Sequence, residues 1–244
     1  MNDHAEALRG WQDSAAAYIA FQDAGDRNRT LLLDPVMLDL CGDVRGQRML
    51  DLGCGEGRFC RMLAERGAAV TGIDPIAEMI GASRARGSSG DSYLIAGAEA
   101  LPFAGAAFDL AVSYITLVDI FDYAAAIREA ARVLRPGGRF AVANLNFVTA
   151  SQGWQRDDDG NRLYHRIDRY ADEWPQVYEW SGMRIVNWHR PLANYMAAFL
   201  GAGLILRDFL TPVPEDLSLR DDPQTEDWFR VPLFNVMRWE TPGA

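Results

Sequence analysis

The sequence contains no lysine. All 24 of its basic residues are arginine, and a guanidinium stays protonated at physiological pH, so it cannot act as an amine nucleophile. Schiff-base catalysis on a lysine is therefore excluded. The same absence excludes a P-loop, whose lysine contacts phosphates, and the active-site lysine of a protein kinase.

Histidine and cysteine are also scarce, with three residues of each. Imidazole chemistry is therefore limited to His4, His165 and His189, and we expect His4 to be disordered. The cysteines are odd in number and show neither a disulfide framework nor the spacing of metal ligands. They predict reduced thiols, no metal site and a cytoplasmic protein.

Long apolar runs are missing as well. The first ten residues are polar, which predicts no secretory signal, and no stretch approaches the ~20 apolar residues of a membrane span. The net charge of −10 and the pI near 4.8 predict a surface that repels nucleic acid and anionic membranes. We therefore expect neither as a partner, although a hydrophobic fraction of 49% indicates a folded domain.

Strand-like and helical patterns alternate along the middle of the chain, with short connections between them. This alternation predicts a doubly wound, Rossmann-like α/β fold with a parallel sheet covered on both faces. Two closing strands near the end bring the expected sheet to seven strands. We predict four regions: an N-terminal helical lid at 1–47, a core at 48–146, an aromatic-rich β insertion at 147–190, and a helix with closing strands at 191–244.

The strongest local signal follows the first predicted strand, where the sequence reads MLDLGCGEGRF. A glycine-rich turn between a strand and a helix lets a ligand approach the backbone closely. Asp74 ends the second strand about 20 residues beyond Gly53, the offset at which a carboxylate hydrogen-bonds a ribose. The two features together predict a cofactor that contains adenosine.

Two such cofactors are compatible with this loop, a nicotinamide dinucleotide and S-adenosylmethionine. Arg58 stands where the dinucleotide pattern has its third glycine. Asp51 and Glu56 place carboxylates beside the loop, where they would repel a pyrophosphate and attract an α-ammonium and a sulfonium. Charge favours S-adenosylmethionine. A dinucleotide-dependent oxidoreductase and a non-catalytic module that binds S-adenosylmethionine remain as alternatives.

The chain resembles the class I S-adenosylmethionine-dependent methyltransferases, in the broad group related to ubiquinone and menaquinone C-methylases. The matching segments are, in order, MLDLGCGEGRF, VTGIDPIAEMI, AGAEALPF, FDLAVSYITLVDI and AAIREAARVLRPGGRFAVANLN. The resemblance implies that Gly53 and Gly55 pass beneath the methionine and ribose. It also implies that Asp74 holds both ribose hydroxyls, and that Pro75 and Ile76 flank the adenine.

Further cofactor contacts follow from the same resemblance. The family often has Asp where this chain has Gly97, so the adenine contact is expected to fall to the Ala98 N–H, with Glu99 as a substitute acid. Ser113 matches the position where the backbone meets the methionine end. The complete set of predicted cofactor residues is Asp51, Gly53, Gly55, Arg58, Asp74, Pro75, Gly97, Ala98, Glu99 and Ser113.

Two residues are candidates for catalysis. Asp119 follows the fourth strand, where many relatives have His and where the loop usually faces the methyl acceptor, so it is expected to orient or deprotonate that acceptor. His189 precedes the helix that begins at Pro191, and a neutral imidazole there could take the acceptor proton. The structural alternatives are an acid at a helix N-terminus for Asp119 and a backbone contact for His189.

The insertion is rich in aromatic side chains, which form either a cap over the acceptor or the core of a hairpin. Trp11 and Tyr18 could close over the cofactor from the N-terminal helix. We therefore predict a methyltransferase that acts on a small molecule, with an aromatic acceptor as one option and O, N or C as the methylated atom. Monomer and homodimer are both compatible with the sequence, whereas methylation of RNA or protein is disfavoured by the charge.

Overall fold

The computed structural model describes residues 3–88 and 90–243. Its strands are β1 (Arg48–Leu52), β2 (Ala69–Asp74), β3 (Ser92–Ile95), β4 (Phe108–Tyr114), β5 (Leu134–Leu145), β6 (Ser151–Arg156), β7 (Arg162–Ile167), β8 (Trp174–Trp180), β9 (Met183–His189), β10 (Ile205–Leu210) and β11 (Phe234–Glu240). Its α-helices are α1 (Asp3–Ala24), α2 (Asp34–Cys41), α3 (Arg58–Ala64), α4 (Ala77–Arg86), α5 (Tyr123–Val133), α6 (Leu192–Gly201) and α7 (Asp227–Arg230).

The central sheet has seven strands in the order β10-β11-β5-β4-β1-β2-β3. The strands from β5 to β3 pair in parallel, whereas β11 runs antiparallel to both of its neighbours. Because helices cover both faces of the parallel part, its central strands need apolar side chains on both sides. Met49, Leu50 and Leu52 of β1 are accordingly fully buried. The predicted doubly wound, seven-stranded α/β fold is confirmed.

Two apolar layers hold the helices on the sheet. On one face, Leu33, Met37 and Leu63 pack into a cluster with β1 and β4. On the other face, Ile127 of α5 and Phe199 of α6 lie in a second cluster with β5 and β11. The parallel strands are therefore fixed in register, and their carboxyl ends meet at one edge of the sheet, where the loops that build the site begin.

The predicted helical region before β1 is interrupted between α1 and α2. Asn28–Leu33 forms a π-helical segment, and α2 begins only at Asp34. Pro35 has no N–H to donate to the carbonyl of Leu31, so an α-helical hydrogen bond is missing at the junction. The wider turn places Arg29 toward the sheet edge, where its guanidinium lies over the Tyr114 ring at 4.5 Å.

The insertion, residues 147–190, forms two antiparallel hairpins, β6–β7 and β8–β9. Asp157 closes the first turn, since its Oδ1 accepts the N–H of Asn161 at 2.8 Å. The buried strand β9 packs against α1, where Ser14 Oγ accepts the Arg184 N–H at 3.0 Å and donates to its carbonyl at 3.2 Å. The insertion therefore supports α1 from behind.

The N-terminal helix α1 begins at Asp3. His4, which we expected to be disordered, lies in α1 and its ring meets Phe121 edge-on at 5.6 Å. Among the described residues, no helix combines the length and the apolar character that a membrane crossing requires.

Candidate active site

A cavity of about 320 Å³ lies at the carboxyl ends of β1, β2 and β4, between the sheet edge and α1. The loops after four parallel strands and one face of α1 supply its walls. This is the edge at which doubly wound sheets bind ligands, because the loops diverge there to either side of the sheet. Several predicted residues meet in it: Gly53, Gly55, Asp74, Pro75, Gly97, Ala98 and Glu99.

Asp74 is held rigidly at the end of β2. Its Oδ2 accepts the Gly55 N–H at 3.0 Å, and its Oδ1 accepts the Ile76 N–H at 2.9 Å. Burial raises the pKa of this carboxyl to about 6, against the opposing effect of the two backbone donors. Each oxygen keeps one acceptor site, so the carboxylate could hold two adjacent hydroxyl groups of a ligand.

The glycine loop has a backbone conformation that disfavours side chains, and at Gly53 it also lacks the space for one. Gly53 has a φ of +68°, and a Cβ there would stand 2.1 Å from Cγ2 of Thr116. Gly55 has a φ of +55°, and its Cβ would meet the Tyr18 ring at 3.5 Å. The loop can therefore present bare backbone to the cavity, as the sequence motif requires.

An apolar slot continues from Asp74 along the opposite wall. Ile76 and Met79 form one side, and the segment that follows β3, including Ala98, forms the other. Leu8 and Trp11 pack against Ile76 and Met79 from α1. A flat, largely apolar group would be enclosed between these surfaces.

One face of α1 covers the cavity. His4, Ala7, Leu8, Trp11 and Tyr18 all line it and recur at helical spacing. The indole of Trp11 meets the Tyr18 ring edge-on at 5.3 Å. The structure thus brings Trp11 and Tyr18 to the place expected of a lid.

A narrow recess adjoins the cavity beneath α1. We call it the head-group recess; it shares Tyr18, Arg29, Gly53 and Tyr114 with the cavity and adds Gln22 and Asp51. Two buried polar atoms in it have no hydrogen-bond partner among the described residues, Asp51 Oδ1 and Gln22 Nε2. Burial also raises the pKa of Asp51 to about 7. An unpaired acceptor and an unpaired donor in one recess indicate a ligand with groups of both kinds.

Asp119 lines the cavity in the loop after β4. Asn187 of β9 donates from Nδ2 to Oδ1 of Asp119 at 2.5 Å. Burial raises the pKa of Asp119 to about 7, and the neighbouring side chains of Trp11 and Asn187 oppose that rise. The side chain keeps some accessible surface, and because protein surrounds it, that surface faces the cavity.

Three predicted cofactor residues do not lie in the cavity itself. Ser113 is fully buried within β4, and the chain reaches the cavity only from Tyr114 onward, because the strand interior is covered on both faces. Asp51 and Arg58 line the head-group recess instead, and the Arg58 guanidinium is paired with Asp34. Glu56 is also unavailable as a ligand, since Arg61 and Arg86 neutralise it at 2.7 and 3.1 Å.

The structure does not bring His189 to the cavity. The ring is fully buried, with the Thr149 hydroxyl 2.8 Å from Nδ1 and the Tyr170 carbonyl 2.9 Å from Nε2. A carbonyl only accepts, so Nε2 carries the proton and Nδ1 accepts from Thr149. The expectation of a base at this position is corrected, because neither nitrogen is open to an acceptor.

The aromatic insertion likewise lies behind the site. Within residues 3–88 and 90–243, no side chain of 147–190 lines the cavity. The Trp188 ring instead meets Phe121 edge-on at 5.4 Å, and the backbone N–H of Trp188 donates to the Val118 carbonyl at 2.8 Å. The predicted acceptor cap is therefore a support for the loop after β4.

Sequence reasoning missed Gln22, Arg29 and Thr116. Gln22 and Arg29 lie before the first strand, where helical spacing carries no sign of a distant strand edge. Thr116 directly follows a recognised motif, and the 2.1 Å approach to a Cβ at Gly53 is visible only in three dimensions. For Thr116, its position at the end of that motif was a signal in the sequence that could have identified it.

The chain is similar in sequence to known methyltransferases. A family model described as a methyltransferase domain matches residues 50–142. The malonyl-[acyl-carrier protein] O-methyltransferase of Serratia marcescens is 32% identical over 78% of this chain and 62% of its own length. The O-methyltransferase rstn1 of Aspergillus nomiae is 40% identical over 42% of this chain and 48% of its own length. The chain therefore spans only part of these curated relatives.

One solved structure is similar in fold to this chain over nearly the whole length of that structure. The S-adenosylmethionine-dependent methyltransferase from Mesorhizobium loti is 29% identical, with a TM-score of 0.77, over 89% of this chain and 99% of that one. The match therefore covers more of the chain than the residues 50–142 of the family model.

Proposed function

We propose that this chain, which belongs to the class I S-adenosylmethionine-dependent methyltransferases, transfers a methyl group from S-adenosylmethionine to a small molecule. One observation carries the proposal. The cavity joins the bare glycine loop and the oriented carboxyl of Asp74 to a recess with two unpaired buried atoms, Asp51 Oδ1 and Gln22 Nε2.

The residues present fit the adenosine half of the cofactor. Asp74 offers one free acceptor site on each oxygen to the ribose hydroxyls. Ile76 and Met79 offer an apolar face to the adenine, and the backbone at Ala98 supplies an edge for its amino group and ring nitrogens. No Cβ obstructs the approach at Gly53 and Gly55.

The head-group recess fits the amino-acid end. Asp51 Oδ1 would accept from the α-ammonium, and Gln22 Nε2 would donate to the carboxylate. Arg29 lines the same recess and adds a positive charge, with its Nη2 3.2 Å from the Tyr18 hydroxyl. A pyrophosphate offers no cation to Asp51, which argues against the dinucleotide alternative.

The protein's own contribution is positioning and exclusion of water. When bound, S-adenosylmethionine supplies an electrophilic methyl group on a cationic sulfur. Tyr18 and Trp11 close the cavity from α1, and Thr116 holds the glycine loop from the opposite side. Fixing two reactants in a dry site supplies much of the acceleration such a reaction needs. Asp119 is the carboxyl placed to contact the acceptor.

The acceptor we propose is a small molecule, and the aromatic side chains of Trp11 and Phe121 favour a ring. The name of the Serratia relative specifies a malonyl group on an acyl carrier protein, and a malonyl group ends in a carboxylate. We propose a different acceptor for this chain, because Asp119 and Glu99 would repel a carboxylate. The free thiols of Cys41, Cys54 and Cys60 support the proposal that the chain works in the cytoplasm. We propose that it does so as a monomer or a homodimer.

Calorimetric titration of the purified chain tests the proposal. S-adenosylhomocysteine, the demethylated product, should bind at one site, and NAD⁺ should not bind. Incubation with S-adenosylmethionine and a panel of small phenols, amines and alcohols should then give products heavier by one methylene in mass spectrometry. Tight NAD⁺ binding without S-adenosylhomocysteine binding would support the oxidoreductase instead. Cofactor binding with no methylated product across the panel would favour the non-catalytic module.

A further inference from the structure

The acceptor end of the cavity combines apolar walls with one half-satisfied carboxyl group. Ile120 and Phe121 stand beside Asp119 there. Asn187 occupies Oδ1 of Asp119 at 2.5 Å, and in the part of the chain that the structure describes, Oδ2 accepts no hydrogen bond. One carboxyl oxygen is thus held from behind. The Trp11 indole lies beside the same carboxyl but makes no hydrogen bond with it, so the other oxygen can accept from a donor within the cavity.

The loop that carries Asp119 is locked in place. Arg190 is buried and donates to the carbonyls of Leu117, Ile120 and Phe121 at 2.9, 2.7 and 3.0 Å. Backbone carbonyls therefore occupy both terminal nitrogens of the guanidinium, and Oε2 of Glu173 lies 3.9 Å from its Nε. A loop fixed by three charge-assisted hydrogen bonds gives Asp119 a defined position, which a recognition group needs.

The cavity opens to solvent through an acidic mouth. Glu99, Asp122, Phe121 and His4 line this opening, whose volume is about 430 Å³. Arg29 lines the cavity and the head-group recess, where Asp26 pairs with it at 3.4 Å, and it does not line the mouth. An incoming molecule therefore meets two carboxylates before it reaches the third at Asp119, so anions are repelled and cations attracted on entry.

We propose that the methyl acceptor is an uncharged or cationic molecule whose nucleophilic nitrogen or oxygen carries a proton, and that this N–H or O–H donates to Oδ2 of Asp119. The proposal rests on the proposed function above and narrows its substrate to amines and hydroxyl compounds. Carboxylate acceptors are excluded on two grounds, since they carry no proton for Asp119 and share its negative charge.

The atoms balance without a further reactant. Nitrogen attacks only through a lone pair, so a cationic amine first loses one proton to the ionised carboxylate of Asp119 and reacts as the neutral amine. A bond then forms between the acceptor nitrogen or oxygen and the methyl carbon, and the carbon–sulfur bond breaks with its electron pair remaining on sulfur. The acceptor's proton passes to the ionised carboxylate of Asp119, and from there to solvent through the mouth. The acidic residues at the mouth keep the departing proton in a favourable field.

Three ligands that share a benzyl or phenyl ring separate the charge requirement from ring binding: benzylamine, benzyl alcohol and benzoate. Each is titrated at about pH 8, where amine and acid are both charged, into the chain saturated with S-adenosylhomocysteine. Affinity should fall in the order amine, alcohol, acid, with at least about a tenfold gap between the first and the last. Equal affinities, or tighter binding of benzoate, would overturn the proposal.

Two matched variants assign the effect to one carboxyl. Asp119→Asn removes the charge and should shrink the preference for the amine severalfold, whereas Asp13→Asn removes the same charge from the exposed face of α1 and should leave the preference unchanged. If Asp119→Asn does not fold, Asn187→Leu leaves the carboxyl in place without its anchor and should shrink the gap. An unchanged gap in a folded Asp119 variant contradicts the proposal.

Binding of S-adenosylhomocysteine shows whether the proposed function is wrong or only the inference about the acceptor. If that product does not bind the parent chain, the proposed function is wrong. If it binds and the three ring compounds are not discriminated, the proposed function stands and the acceptor inference is wrong.

Discussion

Asn187 and Asp119 lie 68 positions apart in the sequence, and the amide of the first donates to the carboxyl of the second over 2.5 Å. Through this contact the insertion reaches the cavity without lining it. Asn187 is itself buried in β9, so the amide has little freedom to move away. The insertion acts on the site by orienting one carboxyl group.

Loss of that amide is expected to affect acceptor use more than cofactor binding. Asn187→Ala removes the donor to Oδ1, so we expect a loss of acceptor turnover corresponding to about 1.5–3 kcal/mol, the range for a hydrogen bond to a charged group. Affinity for S-adenosylhomocysteine should stay within about twofold, a change well under 1.4 kcal/mol. Turnover is measured against calorimetric affinity in the same preparation. Equal losses in both quantities would indicate a collapsed site instead.

Asp74 is expected to govern cofactor affinity. Asp74→Ala removes the acceptor for the ribose and releases the Gly55 and Ile76 N–H groups. Affinity for S-adenosylhomocysteine should fall by about 1.5–3 kcal/mol, measured by calorimetry. Asp13→Ala on the exposed face of α1 serves as the matched control. Undiminished affinity in a folded Asp74 variant would contradict the assignment.

Asp51 is predicted to lower stability as the pH rises. Burial raises its pKa in the folded state to about 7, while the unfolded chain ionises it near the ordinary value of about 3.9. The folded chain therefore binds more protons between these values, so the free energy of unfolding decreases as pH rises from about 4 to about 7. This loss is complete above pH 7.

Asp51→Asn tests this directly. The amide is neutral, and its oxygen can still accept from Cys60, whose Sγ lies 3.3 Å from Asp51 Oδ2. The gain in melting temperature over the parent should be small near pH 4 and largest above about pH 7. The same change should weaken S-adenosylhomocysteine binding, because the ammonium loses its charged partner. A pH-independent difference in melting temperature would contradict the raised pKa.

Gly53 and Gly81 form a matched pair of glycines. A Cβ at Gly53 would overlap Thr116 at a backbone φ of +68°, whereas a Cβ at Gly81 in α4 has nothing within 4 Å. Gly53→Ala should abolish detectable cofactor binding and lower stability by more than about 1 kcal/mol. Gly81→Ala should raise stability by about 0.5–1 kcal/mol, because alanine favours helix. Chemical denaturation and calorimetry provide both readouts.

His189 is now predicted to serve stability. His189→Ala leaves the Thr149 hydroxyl and the Tyr170 carbonyl without partners in a buried place. We expect the free energy of unfolding to fall by about 1–3 kcal/mol per unsatisfied group. The shape of the pH–rate profile should not change. Disappearance of an acidic limb from that profile, with stability intact, would restore His189 as a base.

Local sequence patterns were sufficient for the fold and for the adenosine half of the site. Strands buried on two faces must be continuously apolar, and helices must repeat their apolar residues every three to four positions, so the alternation from 48 to 146 predicted the sheet. Gly53, Gly55 and Asp74 were recognisable because a strand, a tight turn and a helix bring them together within about 20 residues. Their placement needs little information from distant parts of the chain.

The remaining site depended on contacts between segments that are far apart in sequence. Arg29 reaches the Tyr114 carbonyl across 85 positions, at 3.4 Å, and Asn187 orients Asp119 across 68. The sequence by itself determined the fold class and the cofactor motif, since both follow from local periodicity and backbone geometry. Only the tertiary structure decided that His189 is internally satisfied and that Asp119 is open. Burial and hydrogen-bond partners of single polar groups depend on packing between distant elements, which no local pattern encodes.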